Sequence, residues 1–120
     1  MIQQLTTESI ALLDRLIATP STSREEAATA DIIEEFLKAH VKGSVQRIYN
    51  NVYVRSPHWN DAQPTLLMNS HHDTVKPSAS YTRDPYTPTH EEGRIYGLGS
   101  NDAGASAVAL IAAYRYYEES

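Results

Sequence analysis

The sequence contains no cysteine. Disulfide frameworks, thiolate metal sites, cysteine nucleophiles and redox-active cysteine pairs are therefore excluded for these residues. Any metal ion that the chain binds must be held by histidine, aspartate or glutamate side chains. The 5 histidines and 15 acidic residues are sufficient for such a site.

Long apolar runs and clusters of positive charge are also absent. No window approaches the run of about 20 apolar residues that a transmembrane helix needs, and the first residues lack the pattern of a secretory signal. Ten Lys and Arg against 15 Asp and Glu give a net charge of −5. No basic face is available for a phosphate backbone. We therefore expect a cytoplasmic protein with no nucleic-acid partner and no membrane partner.

The residues that are present have the composition of one soluble globular unit. The chain has 120 residues, of which 41% are hydrophobic and 21% are charged. This length allows one buried core, whereas two independent domains would not fit comfortably.

Two amphipathic helices are predicted in the first third of the chain. Residues 7–18 carry apolar side chains at helical spacing, with Thr7 or Thr6 available as the N-cap, and Pro20 ends this helix. A capping box from Ser23 to Glu26 predicts the start of the second helix, which ends near Gly43. The apolar stripe of the second helix consists of Ala27, Ala30, Ile33, Phe36 and Leu37.

Short strands and a third helix are predicted further along. The predicted strands cover residues 45–47, 51–55, 65–69 and 94–96. The continuous apolar run at 65–69 is typical of a strand that is covered on both faces of an α/β sheet. Residues 76–93 contain three prolines and predict a long irregular connection, and residues 102–117 predict a mostly buried helix. This order of elements favours an α/β sandwich.

The residues that follow the predicted buried strand are candidates for metal binding. His71 and Asp73 are two positions apart, so in an extended segment their side chains point to the same side. Histidine is the commonest protein ligand for zinc, and a carboxylate can fix its tautomer. His72 points to the opposite side, either packed beneath the site or facing solvent.

Asp102 is a second candidate ligand because it follows a glycine-rich turn closely. Its two carboxylate oxygens can bridge two metal ions, an arrangement that suits amide hydrolysis. A dinucleotide-binding turn that begins at Gly97 and Gly99 is disfavoured, since Asp102 occupies the place of the third glycine. Taken alone, Asp102 is also compatible with a helix N-cap.

Four motifs resemble those of the M20 family of zinc metallopeptidases and aminoacylases. Residues 71–75 resemble the family's HxDTV motif, and residues 97–102 resemble the GxGxxD motif that follows it. Residues 19–23 resemble its PSxS loop, and residues 83–86 resemble its DPF loop. The pairing of the first two motifs is more specific than either motif alone.

This resemblance implies a fold and a site. The fold is a three-layer α/β/α sandwich of the zinc-exopeptidase type, in which residues 1–120 form the N-terminal part of the catalytic domain. His71 would be a terminal ligand of one zinc ion, and Asp102 would bridge two. Asp73 would be the catalytic residue that orients His71 without touching metal. A complete site would hold two Zn²⁺ ions, for which Co²⁺ can substitute.

The resemblance also implies a reaction, the removal of an N-acyl group from a small-molecule amino acid. The small residues at 103–105 are similar to those of acetylornithine-deacetylase-like members. They imply an N-acetylornithine-like substrate and a role in arginine biosynthesis, while the family resemblance as a whole implies a homodimeric full-length protein. The family's general base, its other ligands and its lid and dimerisation domain have no counterpart in residues 1–120. We therefore expect the fragment to be inactive alone.

Two alternative functions remain. One is a dipeptidase, tripeptidase or succinyl-diaminopimelate desuccinylase. The other is a non-catalytic binding or dimerisation module on a truncated metallohydrolase fold. The remaining histidines, His40, His58 and His90, are interpreted as structural or surface residues. Neither adjacent glutamate pair, at 91–92 or 118–119, is assigned to catalysis.

Overall fold

The computed structural model describes all residues, 1–120, and consists of three helices and two β-hairpins. The helices are α1 (Ile2–Ile17), α2 (Ala27–His40) and α3 (Ala105–Glu118). The strands are β1 (Ser44–Ile48), β2 (Asn51–Arg55), β3 (Thr89–Glu91) and β4 (Arg94–Tyr96). None of the helices combines the length and the apolar character needed to cross a lipid bilayer.

The core lies where α1 packs against α2 and α3. Its eight buried side chains are Leu12, Leu13, Leu16, Ile17, Ile33, Phe36, Leu37 and Val108. Apolar side chains at helical spacing on α1 and α2 form facing stripes, and burial of these stripes is the main favourable contribution to folding.

Helix α1 begins at Ile2, five residues before the predicted start, and ends at Ile17, within one residue of the predicted end. The early start places Thr6 and Thr7 inside the helix. The hydroxyls of Thr6 and Thr7 donate to the carbonyl oxygens of Ile2 and Gln3, at 2.9 and 3.0 Å. The two threonines therefore lie inside the first turns of the helix instead of at its N-terminus.

Helix α2 begins at Ala27, and the predicted capping box is wrong. No side chain caps the helix, because the Ser23 hydroxyl donates to Asp73 instead. The helix ends at His40, where the next residue, Val41, adopts an extended conformation. Ala27 is exposed, and the other four positions of the predicted stripe are buried: Ala30, Ile33, Phe36 and Leu37.

The first hairpin confirms the predicted strand pair. Strands β1 and β2 are antiparallel, with Val45 opposite Val54, and the turn between them is at residues 49–50. Val45, Val52 and Val54 pack against the edge of the core. The hairpin thereby covers one side of α2.

The second hairpin lies in a part of the chain that was predicted to be irregular. The predicted strand at 94–96 is present as β4, and it pairs with β3, which occupies the end of the segment 76–93. Glu92 and Gly93 connect the strands with positive φ angles of 52° and 76°. Two consecutive residues with positive φ are characteristic of the tight hairpin turn that matches the twist of the strands.

The predicted strand at 65–69 is wrong for this chain. These residues form no regular structure, and Leu66 and Leu67 are each 83% exposed. An apolar run becomes a strand only when a neighbouring strand satisfies its backbone, and no strand pairs with this segment. The chain does mix helices with β structure, but its strands form two separate two-stranded sheets, and the three-layer sandwich is not confirmed.

Helix α3 begins at Ala105, three residues later than predicted. An irregular helical turn, Ser100–Gly104, precedes it and contains Asp102 in a non-helical conformation. The prediction of a mostly buried helix is wrong, since only Ala107, Val108 and Glu118 are buried. The Asp102 side chain therefore lies in a turn and not at the N-cap of the helix, a position that Gly104 occupies.

Candidate metal centre

Backbone contacts hold the segment around His71 against the loop that follows α1. The backbone N–H of Thr74 donates to the carbonyl oxygen of Ser21 at 2.8 Å, and Thr22 and Thr74 form a parallel bridge. The Ser21 hydroxyl donates to the carbonyl oxygen of His72 at 3.0 Å. The segment is thus extended, as a side-chain alternation between His71 and His72 requires.

His72 packs beneath the site, one of the two positions that the sequence left open. Its Nδ1 lies 2.7 Å from the hydroxyl of Thr29 in α2, and its Nε2 lies 2.9 Å from the carbonyl oxygen of Asn50 in the first hairpin. Both ring nitrogens therefore have partners inside the protein. His72 connects the segment to two elements of the fold and does not face the cleft.

Gly99 allows the turn that carries Asp102 to approach this segment. Its φ is +80°, and a side-chain carbon added there would lie only 2.6 Å from Cγ2 of Thr74. Its carbonyl oxygen accepts a hydrogen bond from the N–H of Gly104 at 2.7 Å, which closes the turn. A residue with a side chain would strain the backbone and collide with Thr74.

His71 lies between two carboxylates. Its Nε2 is 3.0 Å from Oδ1 of Asp102, and its Nδ1 is 3.1 Å from both Oδ1 and the carbonyl oxygen of Asp73. The structure thus brings together the three residues that the sequence selected, from positions up to 31 residues apart. Their roles as ligands and as the orienting carboxylate remain predictions.

The carboxylates change the protonation behaviour of the site. Partial burial lowers the pKa of His71, but its hydrogen bond to the Asp73 carbonyl and the negative charges of Asp73 and Asp102 outweigh this effect and raise the pKa above its usual value. The hydrogen bond from Ser23 is the largest cause of a lowered pKa at Asp73. Asp73 is therefore held as a carboxylate.

The donor atoms fit one shared cation. Two ligand atoms about 2.0–2.1 Å from a tetrahedral zinc ion are separated by about 3.3 Å, and Nε2 of His71 and Oδ1 of Asp102 are 3.0 Å apart. Asp73 occupies the position of the carboxylate that typically contacts the distal nitrogen of a zinc-bound histidine. No group of three or more potential ligands is assembled in the chain. With the predicted roles, the chain would therefore supply two ligands and one orienting residue.

A cleft of about 670 Å³ opens in front of these residues. Its charged lining residues are His71, Asp73, Arg83, Asp84 and Asp102, so Arg83 is the only lysine or arginine in the lining. The Arg83 guanidinium lies over the Tyr96 ring, 3.8 Å from its centre, and pairs with Glu91 at 2.6 Å. The cleft thus combines a predominantly acidic wall with one fixed cation.

The other predicted residues lie away from the cleft. His40 contacts the Phe36 carbonyl oxygen at 2.8 Å, His58 contacts the Glu118 carbonyl oxygen at 3.4 Å, and His90 contacts Asp14 at 2.8 Å. These contacts agree with structural roles.

Ser23 is the residue of the site that the sequence interpretation missed. Its hydroxyl lies 2.5 Å from Oδ2 of Asp73, and its side chain lines the cleft. The sequence signal for Ser23 is the PSxS-like motif at residues 19–23, but the same serine also fits a capping box, which does not form. A hydroxyl 50 residues away from its partner cannot be assigned by local spacing.

Comparison with known proteins supports the family resemblance. Residues 67–120 match the model of Peptidase family M20/M25/M40. Similar curated proteins are named succinyl-diaminopimelate desuccinylase. Those from Delftia acidovorans, Variovorax paradoxus and Methylibium petroleiphilum are 26%, 30% and 31% identical to this chain.

These alignments cover 88%, 86% and 88% of this chain but only 30%, 29% and 30% of the three relatives. The chain thus spans about three tenths of their length. The M20 resemblance is confirmed. Their name, succinyl-diaminopimelate desuccinylase, is one of the alternative functions that the sequence analysis left open. It gives no support to acetylornithine deacetylase, the function that the sequence favoured, or to a role in arginine biosynthesis.

Proposed function

We propose that the chain supplies part of the active site of a zinc-dependent amide hydrolase, because residues 67–120 match the model of Peptidase family M20/M25/M40. The observation that carries this proposal is the arrangement around His71. One ring nitrogen lies 3.0 Å from the Asp102 carboxylate, while the other lies 3.1 Å from the Asp73 carboxylate.

Each of the three side chains has a separate task in this proposal. His71 and Asp102 hold the metal, and Asp73 fixes the ring of His71 so that Nε2 faces Asp102. A bound zinc ion supplies the chemistry of a Lewis acid and lowers the pKa of water. The acidic residues of the cleft wall favour a cation there, and the open cleft admits a small-molecule substrate.

The substrate that we propose is an N-acyl amino acid. The names of the relatives favour an N-succinyl amino acid, such as succinyl-diaminopimelate, over N-acetylornithine. Arg83, the one lysine or arginine of the cleft lining, is compatible with a substrate that carries extra carboxylates.

The three-layer α/β/α sandwich and the homodimer are part of the same proposal for a full-length protein. Residues 65–69 would then form a strand inside a larger sheet. Their apolar character and the 83% exposure of Leu66 and Leu67 support this role, because such side chains are normally covered.

The proposal is tested with the full natural protein that contains this chain, loaded with zinc. Hydrolysis of succinyl-diaminopimelate, N-acetylornithine and a dipeptide is measured by the release of free amine. We expect the succinyl substrate to give the highest kcat/KM, and activity to disappear after chelation and to return with Zn²⁺ or Co²⁺. The His71→Ala variant serves as the inactive control.

Absence of hydrolysis of all three substrates by the zinc-loaded protein would favour the non-catalytic module. A higher kcat/KM for N-acetylornithine would restore the preference that the sequence suggested. Preference for the dipeptide would indicate a peptidase.

A further inference from the structure

We propose that Ser23 is a positioning residue of the candidate metal centre, acting through Asp73 on His71. This inference rests on the proposed function, because it assigns to Ser23 a task in the same site. It adds a residue from the loop between α1 and α2 to a site otherwise built from the segments around His71 and Asp102.

The contacts form a continuous sequence across the site. The Ser23 hydroxyl lies 2.5 Å from Oδ2 of Asp73, Oδ1 of Asp73 lies 3.1 Å from Nδ1 of His71, and Nε2 of His71 lies 3.0 Å from Asp102. The serine hydroxyl must be the donor, since an ionised carboxylate can only accept. Each oxygen of Asp73 therefore has its own partner, which restricts rotation of the carboxylate.

The orientation of Asp73 in turn determines which nitrogen of His71 is free for a cation. Nδ1 faces two acceptors, the side chain and the carbonyl oxygen of Asp73. With a cation between Nε2 and Asp102, His71 would keep its proton on Nδ1 and would direct the lone pair of Nε2 to that cation. If the Asp73 carboxylate rotated, one of these two acceptors would be lost.

Ser23 is brought to Asp73 by the backbone and not by a chance surface contact. Ser21 and Thr22, just before Ser23, pair with Thr74, just after Asp73. This pairing does not use the Ser23 hydroxyl. Removal of that hydroxyl should therefore leave the loop in place and release only the Asp73 carboxylate.

The experiment compares three variants of the full natural protein. Ser23→Ala removes the hydroxyl, and Ser23→Thr retains one. Thr22→Val is the matched control, because Thr22 lies in the same loop but its hydroxyl contacts Glu25, at 3.2 Å, and not the site. Zinc affinity is measured by competition with a chromophoric chelator, the hydrogen bonding of the His71 ring by its ¹⁵N chemical shifts in metal-free protein, and Tm by calorimetry.

We expect Ser23→Ala to weaken zinc binding about 10- to 100-fold, the usual effect of losing an outer partner of a metal ligand. We also expect it to shift the ¹⁵N resonance of Nδ1 in His71, because that nitrogen loses a fixed acceptor, and to lower kcat more than it changes KM. Ser23→Thr should restore most of the affinity, and Thr22→Val should match the wild type.

Two results would overturn the role of Ser23. One is unchanged zinc affinity and unchanged ¹⁵N shifts in Ser23→Ala. The other is an equal loss of affinity in all three variants, accompanied by equal decreases in Tm, because this pattern indicates only a structural loop. Failure of the wild-type protein to bind zinc would instead contradict the proposed function, while the ¹⁵N shifts of the metal-free variants would still test Ser23.

Discussion

His71 and Asp102 are the two proposed zinc ligands, and Nε2 of His71 lies 3.0 Å from Oδ1 of Asp102. We expect His71→Ala and Asp102→Ala to lower zinc affinity by more than the roughly 10- to 100-fold that loss of an outer partner causes. His40→Ala should leave bound zinc unchanged, since His40 contacts Phe36 outside the cleft. Elemental analysis of the dialysed full-length proteins provides the measurement. Wild-type zinc content in both site variants would refute the ligand assignment.

Gly99 offers a second prediction at the scale of single residues. Gly99→Ala must place a side chain on a backbone with φ of +80° and within 2.6 Å of Thr74. We expect it to lower the free energy of unfolding by about 1–3 kcal/mol from backbone strain alone, with a further loss from the collision. Urea denaturation of the variant measures both effects together.

Gly93→Ala is the matched control for Gly99→Ala. Gly93 has a similar φ of +76°, but nothing lies within 4 Å of the position of its added carbon. This variant should show the strain without the collision. If the two substitutions lower the free energy of unfolding equally, the close contact between Gly99 and Thr74 does not contribute.

At the scale of elements, Glu118 connects the end of α3 to the turn between α2 and β1. Its carboxylate is buried, accepts hydrogen bonds from the backbone N–H groups of Lys42 and Gly43 at 2.7 and 2.9 Å, and accepts another from Tyr114 at 2.6 Å. An added side chain at Gly43 would overlap the Tyr114 hydroxyl. The contact between α3 and this turn therefore requires both the carboxylate of Glu118 and the absence of a side chain at Gly43.

We expect Glu118→Gln to lower the free energy of unfolding by about 1–3 kcal/mol, because an amide leaves one of the buried N–H donors without an acceptor. Glu119→Gln is the control. Glu119 is partly exposed and forms only a 3.5 Å pair with Lys42, and such surface pairs contribute about 0–1 kcal/mol. Denaturant titration at neutral pH compares the two variants. Equal effects would show that the Glu118 contacts are not important in solution.

The contribution of Glu118 should also depend on pH. Burial alone would raise its pKa, but the hydrogen bonds from Tyr114, Lys42 and Gly43 and the charge of Lys42 outweigh burial and lower the pKa below 4.5. The stabilisation is therefore complete above pH 4.5, the value for the unfolded chain, and is lost as the pH falls through the folded pKa. The stability difference between wild type and Glu118→Gln should shrink below pH 4.5. A difference that stayed constant down to pH 3 would contradict this.

At the scale of the whole molecule, the chain has one small core and an exposed apolar segment. Leu12 is 1% exposed, whereas Leu66 is 83% exposed. In the isolated 120-residue chain, Leu12→Ala should therefore lower the free energy of unfolding by about 2–5 kcal/mol through the cavity that it creates. Leu66→Ala, the same chemical change, should stay within about 0.5 kcal/mol of wild type. A large effect of Leu66→Ala would mean that this segment is buried in solution.

Metal binding by the isolated chain is a second property of the whole molecule. The chain contains two of the proposed ligands, His71 and Asp102, whereas zinc sites in proteins use three or four protein ligands. We therefore expect the 120-residue chain to bind zinc weakly and to show no deacylase turnover. Isothermal titration calorimetry and an amine-release assay test these expectations. Robust hydrolysis by this chain alone would contradict them.

The sequence predicted the local elements best where a pattern was complete within a few residues. The stripe of α2, the pair β1–β2 and the short strand β4 have apolar spacing and turn residues that act within one element. The helix starts were less accurate, because Thr6 and Thr7 have two local options for their hydroxyls, and the capping box failed because Ser23 has a partner 50 residues away. The run at 65–69 failed because a strand needs a neighbour, which no local pattern provides.

By itself, the sequence determined the chemical inventory of the site: no thiolate, a histidine and a carboxylate at HxDTV spacing, and a second carboxylate after a glycine-rich turn. The tertiary structure decided that Nε2 of His71 faces Asp102, that Asp73 lies behind His71, that Ser23 holds Asp73, and that His72 turns inward to Thr29 and Asn50. The physical reason is that residue types and short spacings specify which donors are available. Only the packing of α1, the first hairpin and the Gly99 turn brings the polar atoms of separate segments to within about 3 Å of one another.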